Sequence, residues 1–193
     1  MHRKHFWVRP RVVHAAQVMA PEHSPAAATT LAAMQRILIS RHVGRRDEAQ
    51  LLEFLSSANS ADLNYLLARI KLPRLISAID DRIIGPDNRT QLMNLLTVKR
   101  IHEISISNRV LLIDALQMGW TDRKKEIGIK QIFLATKSHD LTELKNSIDS
   151  GDEYHDLHKL IWEDIDDDVT RNEILQHIAI ESVPTDDIKI IRY

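Results

Sequence analysis

LLEFLSSANSADLNYLLARIKLPRLISAI, residues 51–79, decides the fold. Its apolar residues recur at intervals of three and four. Leu51, Leu52 and Leu55 form one set, and Leu63, Leu66, Leu67 and Ile70 a second. Leu72, Leu75, Ile76, Ile79 and Ile83 form a third. That spacing puts each set on one face of a helix, because a helix brings residues three and four apart together whereas a strand alternates every second residue. Outward from it, Leu92, Met93, Leu95 and Leu96 continue the pattern, and Val110, Leu111, Leu112, Ile113, Ala115 and Leu116 form a strongly apolar run. Strand-like alternation is nearly absent, so the expected fold is all-α. Asp47, Ser60, Asp87, Ser107 and Ser138 are the expected helix starts, since their side-chain oxygens can accept the orphan N–H groups of a first turn.

The chain has 193 residues, 44% of them hydrophobic and 27% charged, with no cysteine. An apolar fraction of that size supports a packed core and excludes wholesale disorder. Without cysteine there is no thiol catalysis, thiolate metal site or disulfide, which fits a reducing, cytoplasmic setting. No apolar run reaches the roughly 20 residues that a membrane-spanning helix needs. The net charge of −1 conceals a gradient. Residues 1–46 carry eight bases against Glu22 alone, whereas residues 149–193 carry thirteen acids against four bases. Such a dipole steers partners and favours head-to-tail association. The reading of residues 1–30 is a flexible basic arm, because Pro10, Pro21 and Pro25 interrupt any long helix and Val12, Val13, Val18 and Met19 are too scattered for a signal peptide.

The body contains an internal repeat. One unit reads Phe54-Leu55-Ser56, Asp62-Leu63, Leu66, Ile79-Asp80-Asp81 and Arg89-Thr90-Gln91-Leu92-Met93. The other reads Phe133-Leu134-Ala135, Asp140-Leu141, Leu144, Ile165-Asp166-Asp167 and Arg171-Asn172-Glu173-Ile174-Leu175. The expected organisation is a first four-helix repeat over 31–96, connecting helices over 97–118, a second repeat over 119–180 and a tail over 181–193. A lone four-helix unit cannot bury all its apolar stripes, but two packed together share a core. The duplication predicts like settings for Phe54 and Phe133.

These units resemble the annexin repeat. Gly44-Arg45-Arg46-Asp47-Glu48 leads into Leu51-Leu52-Glu53-Phe54-Leu55, and a third helix ends in Asp80-Asp81. Gly119-Trp120-Thr121-Asp122 leads into Ile132-Phe133-Leu134, followed by Trp162-Glu163-Asp164. Annexins carry four repeats and this chain has room for two, so a homodimer would complete the set. The resemblance implies calcium-dependent binding to an acidic phospholipid surface. Its candidate calcium ligands are Gly44 with Asp80 or Asp81, and Gly119 with Asp164. Glycine lets backbone carbonyls turn to a hard cation and a later carboxylate closes the shell. Trp120 is the candidate membrane anchor, since an indole prefers the headgroup zone. The sequence departs from the pattern where the second loop glycine is missing and where Arg45 and Arg46 put positive charge beside the cation position. The alternative assigns Gly44 and Gly119 to helix C-caps.

Other constellations carry less. Arg171-Asn172-Glu173-Ile174-Leu175-Gln176-His177 resembles the Arg-Asn…His signature of HEPN ribonucleases, which would make Arg171 and His177 catalytic. Arg171 falls on the repeat position of Arg89, however, and the acids of 163–168 repel RNA, which disfavours nucleic acid as a partner. His155 and His158, with Asp152, have spacing for zinc but no evident further ligand. Asp164, Asp166, Asp167 and Asp168 lack the glycine and closing glutamate of an EF-hand. The expected function is therefore non-enzymatic: an annexin-like helical module for acidic phospholipid or a protein partner, peripheral to a membrane or exported by a non-classical route. The alternative is an interaction scaffold or the cargo of a bacterial secretion or injection apparatus, with residues 1–30 as its address.

Overall fold

The structure, a computed structural model, describes residues 23–40, 42–81, 85–118, 123–149 and 157–181. Among them are ten α-helices and no strand: α1 (Pro25–Ile39), α2 (Arg45–Ser57), α3 (Ser60–Arg69), α4 (Leu72–Asp81), α5 (Pro86–Asn94), α6 (Ile106–Gln117), α7 (Arg123–Ala135), α8 (Ser138–Asp149), α9 (Leu157–Glu163) and α10 (Asp168–Glu181). A π-helical turn, Leu95–Lys99, and a 3-10 turn, Ile101–Glu103, join α5 to α6. The all-α expectation is met.

Of the expected arm, residues 1–22 lie outside the described residues, as do residues 182–193 of the expected tail. Residues 25–30 belong to α1, with Ala27 buried. Pro25 starts that helix instead of breaking it, because a proline in the first turn loses no intrahelical hydrogen bond and its fixed φ suits the helix. The entry is fastened to α3: Asp62 accepts hydrogen bonds from the Ser24 backbone N–H at 2.7 Å and from its hydroxyl at 2.8 Å. These bonds, led by the Ser24 N–H, hold the Asp62 carboxyl below the usual carboxylate range. Asn59 caps α3 by accepting from the Asp62 N–H at 2.8 Å, and Ser105 caps α6. The expected caps Ser60 and Ser107 therefore lie one and two residues inside their helices.

One contiguous apolar core runs from Met34 to Ile174. Its centre is α6, which packs on α3, α4, α7 and α8. Leu112, Ile113, Ala115 and Leu116 are all buried, as expected of a helix apolar on most sides. Neighbour relations recur in the two halves. Helix α1 packs on α3 and α6 on α8, while α2 packs on α5 and α7 on α10.

The settings of Phe54 and Phe133 differ. Phe54 is half-buried, whereas Phe133 is fully enclosed. Burial matches Leu51 with Ile129 and Leu55 with Phe133. The phenylalanine match thus slips by one residue, because identity of residue type aligned two positions on different helix faces.

Candidate functional site

Gly44 is the N-cap of α2, in extended backbone with φ −79° and ψ 166°. This corrects the C-cap alternative, since its φ is one that any residue adopts. Its N–H donates to Asp47 Oδ2 at 3.1 Å, the reciprocal half of a capping box, so Asp47 acts from the third helical position. Arg45 and Arg46 occupy the first two positions of α2, and both are exposed.

Beneath them lies Glu48, fully buried in the same turn. Its Oε2 accepts from Asn88 Nδ2 at 2.7 Å, which ties the start of α2 to the start of α5. A Cβ on Gly85 would meet Glu48 Oε2 at 3.2 Å, so the α5 N-cap sits against this carboxyl. Asp80 and Asp81 are the last two residues of α4, four to five residues before Gly85; their side chains lie outside the described residues.

Helix α7 carries the counterpart. Arg123 and Lys124 are exposed at its first two positions, and Glu126 is buried at its fourth. Glu126 accepts from the backbone N–H of Asp166 at 3.0 Å and of Asp167 at 3.3 Å, fixing the turn into α10. Asp164 is half-buried and accepts from Gln117 Nε2 at 2.6 Å, which links the end of α6 to the α9–α10 turn. Asp167 accepts from the Thr170 N–H at 2.8 Å, and hydrogen bonds from Thr170 hold its carboxyl below the usual range. Gly119 and Trp120 lie outside the described residues. Asp164 thus serves an interhelix tie and Asp167 a helix start. Among the described residues, no group of three His, Asp or Glu side chains is placed to hold a metal ion.

Arg171 is engaged throughout its guanidinium. Nε donates to the Ile161 carbonyl at 3.1 Å, Nη2 to the Ile165 carbonyl at 2.6 Å, and Nη1 pairs with Asp168. It buckles the end of α9 onto the start of α10. His177 lies six positions further along α10, about 120° around the helix at 100° per residue. Its Nε2 contacts the Thr136 carbonyl at 2.9 Å. The two residues of the ribonuclease-like spacing thus make separate structural contacts.

Thr136 also belongs to a buried polar link. Arg109 Nη1 donates to Thr136 Oγ1 at 2.7 Å and Nε to the Ile104 carbonyl at 2.9 Å. Burial pulls the Arg109 guanidinium below the ordinary arginine value, with Asp140 acting against it. His158 is exposed on α9 with its ring 6.2 Å from that of Trp162; His155 and Asp152 lie outside the described residues. A shallow open depression on α8 is lined by His139, Thr142, Glu143, Asn146 and Ser147, none of them a predicted site residue.

Glu48, Glu126, Arg109 and exposed Trp162 were not among the sequence-predicted site residues. A signal for the glutamates was present, since each is the fourth residue of a helix led by two bases. Among the described residues, no helix is long and apolar enough to cross a membrane. Compared with protein-family models, curated proteins and solved structures, the chain matches none.

Proposed function

We propose that this chain is a non-enzymatic helical binding module for acidic phospholipid surfaces, built from two tandem annexin-like units, α1–α5 and α6–α10, which moves α6 from the expected connecting segment 97–118 into the second unit. The recurring neighbour relations support the duplication. So do Glu48 and Glu126 at the fourth positions of α2 and α7, and Arg89 and Arg171 at the fourth positions of α5 and α10.

One observation carries the lipid reading: exposed cations stand at the first two positions of both α2 and α7. The partial positive charge of a helix N-terminus disfavours cations there, typically by 0.3–1 kcal/mol each. The macrodipole therefore gives no reason for such pairs, although Arg123 is drawn to Asp167 across the α10 start; an anionic surface favours them. Each basic residue near such a surface contributes about 1 kcal/mol.

Co-sedimentation with phosphatidylserine-containing vesicles tests the proposal. Wild type should pellet with them and stay in solution with phosphatidylcholine alone. Arg45→Gln/Arg46→Gln should weaken binding by about 2 kcal/mol, roughly thirtyfold, as should Arg123→Gln/Lys124→Gln. A calcium titration separates direct from bridged binding. Calcium-dependent sedimentation removed by Asp80→Ala, and weakened by Trp120→Ala, would assign the bridged form that the annexin resemblance implies. Absence of pelleting with or without calcium would overturn the proposal.

A further inference from the structure

The seam between α7 and the π-helical turn leaves two apolar side chains in solvent. A Cβ on Gly128 would meet Thr97 Cγ2 at 3.2 Å and Leu116 Cδ1 of α6 at 3.4 Å. Thr97, Leu116 and Gly128 are all buried, so α6 forms the inner side of the seam. Val98 follows Thr97 and Ile127 precedes Gly128, yet these two are 46% and 41% exposed. With the core on the inner side, both project outward, one from each bank of the seam. A lone exposed apolar residue is ordinary, but here two segments bring one each to the same place.

The surroundings are basic. Lys99 is exposed beside Val98, and Arg123 and Lys124 are exposed one turn before Ile127. Across the π-helical turn and α7, five bases stand against one acid, a net charge of +4. That acid is Glu126, which is buried and bonded to the start of α10. Two half-exposed aliphatic side chains offer far less than the roughly 800 Å² per partner of a standard protein interface. Shallow entry into a bilayer needs no such area. Apolar groups sink into the headgroup–acyl boundary, lysine stems lie along them and the ammonium heads reach anionic phosphates.

We infer that Val98 and Ile127 enter the headgroup–acyl boundary of an anionic bilayer when the basic pair of α7 docks on it. The inference rests on the lipid reading above and adds an apolar component that the basic pairs do not supply.

The chain has no cysteine, so Val98→Cys and Ile127→Cys each give a single attachment point for the environment-sensitive dye NBD. With phosphatidylserine-containing vesicles, both labels should brighten and be quenched by nitroxide carried near the top of the lipid acyl chain. A label at Asn146→Cys, exposed on α8, should stay unquenched, since α8 packs on α6, α9 and α10. In co-sedimentation, Val98→Asn/Ile127→Gln should bind roughly tenfold more weakly, the loss expected when two half-exposed aliphatic side chains no longer leave water. Its urea midpoint should match wild type, because both positions are exposed. Wild type that pellets while both labels stay unquenched and the variant binds equally well would overturn the inference alone, leaving the basic pairs as the whole contact. Wild type that fails to pellet would overturn the lipid reading and the inference together. Equal quenching at Asn146→Cys would overturn the inference by showing immersion without orientation. So would brightening that grows with protein concentration in the absence of vesicles, by assigning the seam to a second copy.

Discussion

Two glutamates do the same work with different partners. Glu48 holds an asparagine side chain at the start of α5, and Glu126 holds two backbone N–H groups at the start of α10. Replacing Glu126 by alanine removes the acceptor from those two part-buried donors. The expected loss is about 1–3 kcal/mol, read as a lower midpoint in urea unfolding. Glu103 makes a different contribution. It accepts from Arg100 and from Ser60, and Arg100 in turn reaches the Leu55 carbonyl at the end of α2. The hydrogen bond from Arg100 leads in lowering its pKa to about 2. A carboxyl depressed in the folded state adds stability that is complete above its unfolded value, near 4.5, and fades as the pH falls towards 2. The Glu103→Gln variant should therefore show a flatter stability profile between pH 4.5 and 2 than wild type. Chemical denaturation across that window checks the slope. An identical slope would place the pH dependence elsewhere.

At the scale of elements, Gly128 governs how closely α7 approaches its neighbours. A Cβ there would lie 3.2 Å from Thr97 Cγ2 and 3.4 Å from Leu116 Cδ1. Gly128→Leu should destabilise by about 1–3 kcal/mol, because the π-helical turn and α6 must both yield. Thermal melts of the variant and of Ile127→Leu, one residue away on the exposed side, separate overpacking from a general effect on α7. Much of the helical content was legible, since interval patterns in 51–79 depend only on neighbours in sequence. Cap positions were less so. Ser60 and Asn59 are both good capping residues, and which of them caps depends on Asp62 being fixed by Ser24 from 38 positions away. The one-residue slip between Phe54 and Phe133 has the same origin: a residue type does not record which side of its helix meets the core. Of the candidate site, Gly44 is the N-cap of α2, while Gly119, Trp120 and the side chains of Asp80 and Asp81 lie outside the described residues. The exposure of Trp162 was not legible, because an aromatic in an apolar helix reads as core until the neighbouring elements are placed.

The described residues share one core, continuous from α1 through α6 to α10. Halves that share a core should unfold together. Scanning calorimetry is expected to give a single transition with equal calorimetric and van't Hoff enthalpies, whereas two separable peaks would mean that the halves are independent. The placement of α6 also has a consequence during synthesis. Part of α4 is covered by α6, whose last residue follows Asp81 by thirty-six positions. At translation rates of about 5–20 residues per second, the ribosome needs roughly two to seven seconds to supply that cover. For that interval the nascent chain displays a greasy flank, a natural docking point for chaperones that scan emerging polypeptides.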